Sequence, residues 1–150
     1  MNEAKGIAIA VIDGLGGGLG VQIVERLRAE LGTAPEIIAL GTNGVATDRM
    51  VRAGASRGAT GENAFRVVLR GADVLIAPIG VVIADSMMGE ITEAMAFHVL
   101  NCPAPKFLVP VSQSHFTIVG LEPKPLARLV ADAVSALEDW MEASKSSASP

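Results

Sequence analysis

Tyrosine is absent, aromatic residues make up only 3% of the chain, and there is a single cysteine, Cys102. Without tyrosine, no Tyr-x-x-x-Lys proton relay can exist. The four lysines, Lys5, Lys106, Lys124 and Lys145, all fall outside the predicted strand-end loops. One cysteine closes no intramolecular disulfide and fits a reducing compartment. Charge is also sparse. Only 19% of residues are charged, 12 basic against 16 acidic, for a net charge of −4. With a pI near 5.1, the chain lacks the basic surface that phosphate-backbone binding requires, so no nucleic acid partner is expected. The longest apolar run, Val74 to Ala84, is too short to span a bilayer and is broken by Pro78 and Gly80. No export signal is visible, and a soluble cytoplasmic protein without a membrane partner is expected.

What is present is apolar: half of the 150 residues are hydrophobic, and mean hydropathy is +0.44. That excludes a disordered chain, and sixteen glycines without a period exclude collagen. So few charges on one small domain leave apolar surface over, which makes a homo-oligomer the expected state.

The apolar pattern alternates between two periods. Short apolar runs at 7–12, 37–40, 74–77 and 107–111 read as strands, 57–60 is a candidate short third strand in chain order, and 116–119 is a candidate sixth. Helical spacing covers 19–31 (closed by Gly32), 46–53 (closed by Gly54), 62–70 and 92–100, the last with Thr92 as N-cap. It returns over 125–141, with Leu126, Leu129, Val130, Ala133, Leu137 and Trp140 as the inward face. Alternating strands and helices imply right-handed crossovers. The expected fold is therefore a single Rossmann-like, doubly wound parallel sheet in three α/β/α layers. It should span residues 1–143 and leave a small polar tail, 144–150, disordered.

The first strand runs into Asp13, Gly14, Leu15, Gly16, Gly17, Gly18, Leu19 and Gly20. Ligands of such sheets bind where a glycine-rich turn leaves the strand and opens a helix. There the backbone is bare and helix N–H groups favour an anion. The spacing G-x-G-x-x-x-G is one residue longer than the dinucleotide fingerprint, and no G-K-[ST] follows, which excludes a Walker A loop. The alternative is that the glycines only permit a tight turn and close packing. Asp13 at the lip of the loop would repel a pyrophosphate unless a cation or hydrogen bond intervened. The second strand should end in an acid that binds the ribose, yet residues 37–47 contain none. Thr42 and Asn43 stand there as ribose ligands or as a turn, and Arg49 as a partner for a 2′-phosphate.

Other carboxyl-end loops supply Thr60, Gly61 and Asn63 after strand three, then Pro78 and Gly80 after strand four. Further along, Asp85 and Glu90 flank a Met-rich stretch that suggests a mobile lid or pocket wall. His115 lies in a polar cluster after strand five. Asp85, Glu90 and His115 are the candidate acid–base groups, set against ordinary solvated side chains. His98 and Cys102 share a helical face but lack a second ligand pair, so no metal site is expected.

The strings IAVIDGLGGGLG (9–20), ALGTN (39–43), GASRGATGEN (54–63), PIG (78–80), DSMMGE (85–90) and IVG (118–120) together resemble a family of short bacterial proteins classed as a domain of unknown function. The resemblance covers about residues 6 to 121 and implies a Rossmann-like fold with no established activity. That family commonly has a cysteine near the position of His115. This chain departs there, so a thiol role for that loop does not carry over. The expected function is binding of a nucleotide or dinucleotide, with NAD or NADP as cofactor, in an oxidoreductase or in a non-catalytic sensor or accessory subunit. A purely structural oligomer is the third reading.

Overall fold

The computed structural model describes residues 6–111 and 116–148. Five strands, β1 (Ala8–Asp13), β2 (Glu36–Gly41), β3 (Arg57–Thr60), β4 (Val74–Pro78) and β5 (Lys106–Val109), form one all-parallel sheet in the order β3-β2-β1-β4-β5. This is the strand order of the doubly wound fold. Strand β1 is central, and all six of its residues are buried. Ile9 pairs with Ile37 on one side and with Val74 on the other.

Alternation along β1 divides the core. Ile9 and Val11 face a cluster with Ile23, Leu27, Val134 and Leu137, beneath α1 (Gly18–Leu31), α2 (Gly44–Arg52) and α5 (Leu126–Ser147). Ala10 and Ile12 face Phe65, Leu69, Met95 and Val99, beneath α3 (Glu62–Val68) and α4 (Glu93–Asn101). A sheet covered on both faces is the expected three-layer α/β architecture. No helix among the described residues is long and apolar enough to cross a membrane.

The helix ends follow local chemistry. Gly32 closes α1 at φ 63°, a left-handed position that suits glycine. Thr92 caps α4 by accepting a hydrogen bond from the Met95 amide. Two expectations need correction. Residues 116–119 form no strand element. Phe116 makes a single bridge, Val119 is 93% exposed, and Gly120 at φ 91° and Pro123 follow, so the run is too short and too soon interrupted to extend the sheet. Helix α5 continues through Ser147, so residues 144–147, placed in the tail by composition, are helical. The hydroxyls of Ser144 and Ser147 donate to the carbonyls of Trp140 and Ala143, one turn back.

Because every strand is parallel, all carboxyl ends lie along one edge of the sheet. The loops after β1, β2 and β4 meet there.

Candidate functional site

At the end of β1, Asp13 is buried rather than set on the lip of the loop. One carboxylate oxygen accepts from the Gly14 amide at 2.8 Å and the other from the Gly20 amide at 2.7 Å. Gly20 is the third residue of α1, so Asp13 satisfies one of the N–H groups that a helix start leaves without a partner. The repulsion expected of Asp13 is therefore met by hydrogen bonds from within the loop. Burial pushes its pKa up, the Gly20 and Gly14 amides pull it down, and the nearby charge of Glu90 adds to the rise. The net direction is upward.

The glycines divide by what surrounds them. Gly17, the N-cap, sits at φ 73°, and a Cβ there would lie 2.9 Å from the Ala46 Cα. A Cβ on Gly20 would meet Met50 Sδ and Asp13 Cβ, and one on Gly14 would meet Thr42 and Met87. Close packing accounts for these three. A Cβ on Gly16 would make only an ordinary contact with Arg49, and one on Gly18 would meet nothing within 4 Å. Among the described residues, no protein acceptor takes the amides of Gly18 and Leu19.

At the end of β2, Asn43 caps α2 through Oδ1, which accepts from the Ala46 amide, while its Nδ2 donates to the Leu15 carbonyl at 2.9 Å. The third loop reaches across to the same point. Glu90 Oε1 accepts from Thr42 Oγ1 at 2.6 Å, from Asn43 Nδ2 at 2.6 Å and from the Leu15 amide at 3.0 Å. Slight burial raises the Glu90 pKa, but these three donors outweigh it and hold the carboxyl below its ordinary value. The segment that delivers Glu90 is contorted: Asp85, Met87 and Met88 all have φ between 55° and 65°, and Gly89 has φ 88°. Three non-glycine residues in that region within four positions are a strained arrangement. It is closed on itself by bonds from the Asp85 amide to the Ile91 carbonyl and from Ser86 Oγ to the Gly80 carbonyl.

The structure thus joins Asp13, Gly14–Gly20, Thr42, Asn43 and Glu90 at one place with Arg49 beside them, and the remaining candidates lie apart. Arg49 donates to the Gly16 carbonyl, so its guanidinium is held against the glycine loop. Thr60 bonds the Thr47 hydroxyl at 2.7 Å, and Asn63 accepts from Arg66 on the surface of α3. Gly61 is the N-cap of α3 at φ 96°. Pro78 is the buried end of β4, and Gly80 lies in the 3₁₀ turn that follows. Asp85 is exposed on the strained segment. His115 lies outside the described residues.

Sequence reasoning missed Thr47, a buried hydroxyl that also donates to the Asn43 carbonyl and so steadies the start of α2. Its position one turn after Asn43 was the available signal. The Cys102 thiol donates to the Val99 carbonyl, and no cluster of three or more His, Cys, Asp or Glu side chains exists among the described residues.

A cavity of about 720 Å³ opens beyond β5, lined by Val111, Phe116, Ile118, Leu121, Leu126 and Leu129 among others. Thr117, Glu122 and Lys124 add polar groups to its wall. Among the described residues, hydrogen-bond donors and carboxylates converge at the β1–β2–β4 crevice.

No curated protein and no solved structure matches the chain. A family model does match, over residues 8–142, a span that includes every residue of the crevice. The chain belongs to the family described as a domain of unknown function, DUF3842.

Proposed function

We propose that this protein binds a nucleotide or dinucleotide of the NAD type at the crevice, with a phosphate on the amides of Gly18 and Leu19. The observation that carries this reading is the pair of uncommitted amides at the head of the 14-residue helix α1, where the missing side chain of Gly18 leaves open space. A helix start offers both N–H donors and positive potential to an anion. Arg49, held on the Gly16 carbonyl, adds a formal positive charge beside the loop.

Binding is better supported than oxidoreduction, because Asp13 and Glu90, the carboxylates at the crevice, are both engaged by internal donors. The reading as a sensor or accessory subunit draws on a second observation. Phe97 and Leu100 on α4 are 60% and 55% exposed, an apolar surface available to a partner or a second copy.

Thermal unfolding in the presence of NAD, NADP, ADP and pyrophosphate tests the proposal. A bound probe at about 100 times its dissociation constant adds roughly 2.7 kcal/mol of stability. Gly16→Val should abolish that gain by placing a branched side chain on the bare loop, while the chain still folds, since the new Cβ makes only an ordinary 3.5 Å contact with the tip of Arg49. Absence of a shift with all four probes would refute nucleotide binding, and an undiminished shift in the variant would refute its placement.

A further inference from the structure

We infer that Glu90 supplies the ribose-binding carboxylate that β2 lacks, so that the crevice selects an adenosine ribose with a free 2′-hydroxyl over one that carries a 2′-phosphate. This deepens the nucleotide reading above and rests on it.

Dinucleotide sites of doubly wound sheets place an acid at the end of the second strand to accept from the ribose 2′-hydroxyl. No acid occurs in this chain from 37 to 47. The position is nevertheless occupied in space. Glu90, from the connection between β4 and α4, lies within 2.6 Å of both Thr42 Oγ1 and Asn43 Nδ2, the first two side chains beyond β2.

All three protein donors to this carboxylate converge on Oε1. Among the described residues, none reaches Oε2. An ionised carboxylate is an acceptor only, so Oε2 suits a hydroxyl donor and opposes a phosphate. The Leu15 amide, one of the three donors, belongs to the glycine loop itself. Glu90 is therefore fixed relative to the helix start on which the phosphate would rest. The three donors also keep the group ionised. The cation that could favour a 2′-phosphate, Arg49, is held by the Gly16 carbonyl on the glycine loop.

Calorimetric titration of the full chain with NAD, NADP, ADP and 2′-deoxy-ADP tests the assignment. NAD should bind on the order of ten to a hundred times more tightly than NADP, because a charge-assisted hydrogen bond is replaced by like-charge contact. ADP should exceed 2′-deoxy-ADP by about tenfold. Glu90→Gln keeps an oxygen for the three internal donors but puts an amide where Oε2 was. It should bring both ratios close to one. Thr42→Val removes one of the donors that aim the carboxylate and should narrow the ratios in the same direction.

Unchanged ratios in both variants would overturn the assignment, as would a wild-type preference for NADP. A further outcome is equally decisive against it. If Glu90→Ala tightens NAD and NADP alike, the carboxylate is a plug on the crevice and no part of its recognition chemistry. Wild-type protein that binds none of the four probes would sink the nucleotide reading and this assignment together, whereas binding without 2′ discrimination would sink the assignment alone.

Discussion

Alanine at Gly17 and alanine at Gly18 should move stability in opposite directions, although the two positions are adjacent at the start of the same helix. Gly17 holds a left-handed conformation, φ 73° and ψ 12°, which costs an L-residue about 1–2 kcal/mol. Its Cβ would also lie 2.9 Å from the Ala46 Cα and 3.2 Å from the Ala46 carbonyl oxygen. Those are backbone atoms of α2 and cannot swing aside, so overpacking adds about 1–3 kcal/mol. Gly17→Ala should thus lose roughly 2–5 kcal/mol, a fall in Tm on the order of 10 °C for a chain of this size. A Cβ on Gly18 meets nothing within 4 Å, and Gly→Ala at a compatible site gains about 0.4–1 kcal/mol through the unfolded state. Thermal unfolding followed by circular dichroism reads both. Equal effects, or a Gly18→Ala protein less stable than Gly17→Ala, would refute the division of the loop into packing glycines and open ones. The claim that Gly18 is bare for the sake of a ligand would fall with it.

Asp13→Asn should destabilise by about 1–3 kcal/mol, because an amide offers one acceptor where the Gly14 and Gly20 amides need two. A urea midpoint equal to that of wild type would show that relief from burying the charge cancels the lost bond. The acid profile carries opposite signs from the two carboxylates. Asp13 is raised above 3.8, so the folded chain takes up its proton first, and the Asp13 contribution to stability falls as pH rises through that window. Glu90 is depressed below 4.5, so its contribution is full above that pH and is lost as pH falls through the folded pKa. The stability difference between wild type and Glu90→Gln should shrink on acidification below 4.5, and a difference that stays constant with pH would deny the charge-assisted bonds. In α5, Leu137→Ala should cost about 2–5 kcal/mol at a fully buried position, against less than about 0.5 kcal/mol for Leu126→Ala at one 36% exposed. Comparable urea midpoints for the two would contradict the observed packing face.

The strand at 74–77 and the Thr92 cap were legible because each rests on neighbours in sequence: an apolar run ended by Pro78, and a hydroxyl three residues before the amide it caps. The inward face of α5 was only partly legible. Periodicity identified Val130 and Leu137 correctly, but it included Leu126 and omitted Val134, which is 1% exposed. A helical stripe is broad, and its edges are decided by what lies opposite. The first turn of α5 adjoins the irregular stretch after β5, whereas Val134 belongs to the core cluster that contains Ile9 and Val74.

The crevice shows the same limit in a sharper form. Asp13, Thr42 and Asn43 were visible as residues at strand ends. Asp13 looked like an obstacle to anions because its partners, the amides of Gly14 and Gly20, appear in sequence only as glycines. Glu90 was visible only as a loop carboxylate, since 75 positions separate it from Leu15 and its placement depends on three consecutive crossovers. The consequence is electrostatic. Two carboxylates beside a glycine loop would repel a phosphate if their charges were bare. Here, five hydrogen-bond donors, the amides of Gly14, Leu15 and Gly20 together with Thr42 and Asn43, converge on them. Those donors offset part of the charge, and among the described residues no protein acceptor takes the amides of Gly18 and Leu19. On the proposed reading, an anion approaches along that line and not along the line of Glu90, an asymmetry that suits a ligand with a phosphate at one end and a neutral hydroxyl at the other.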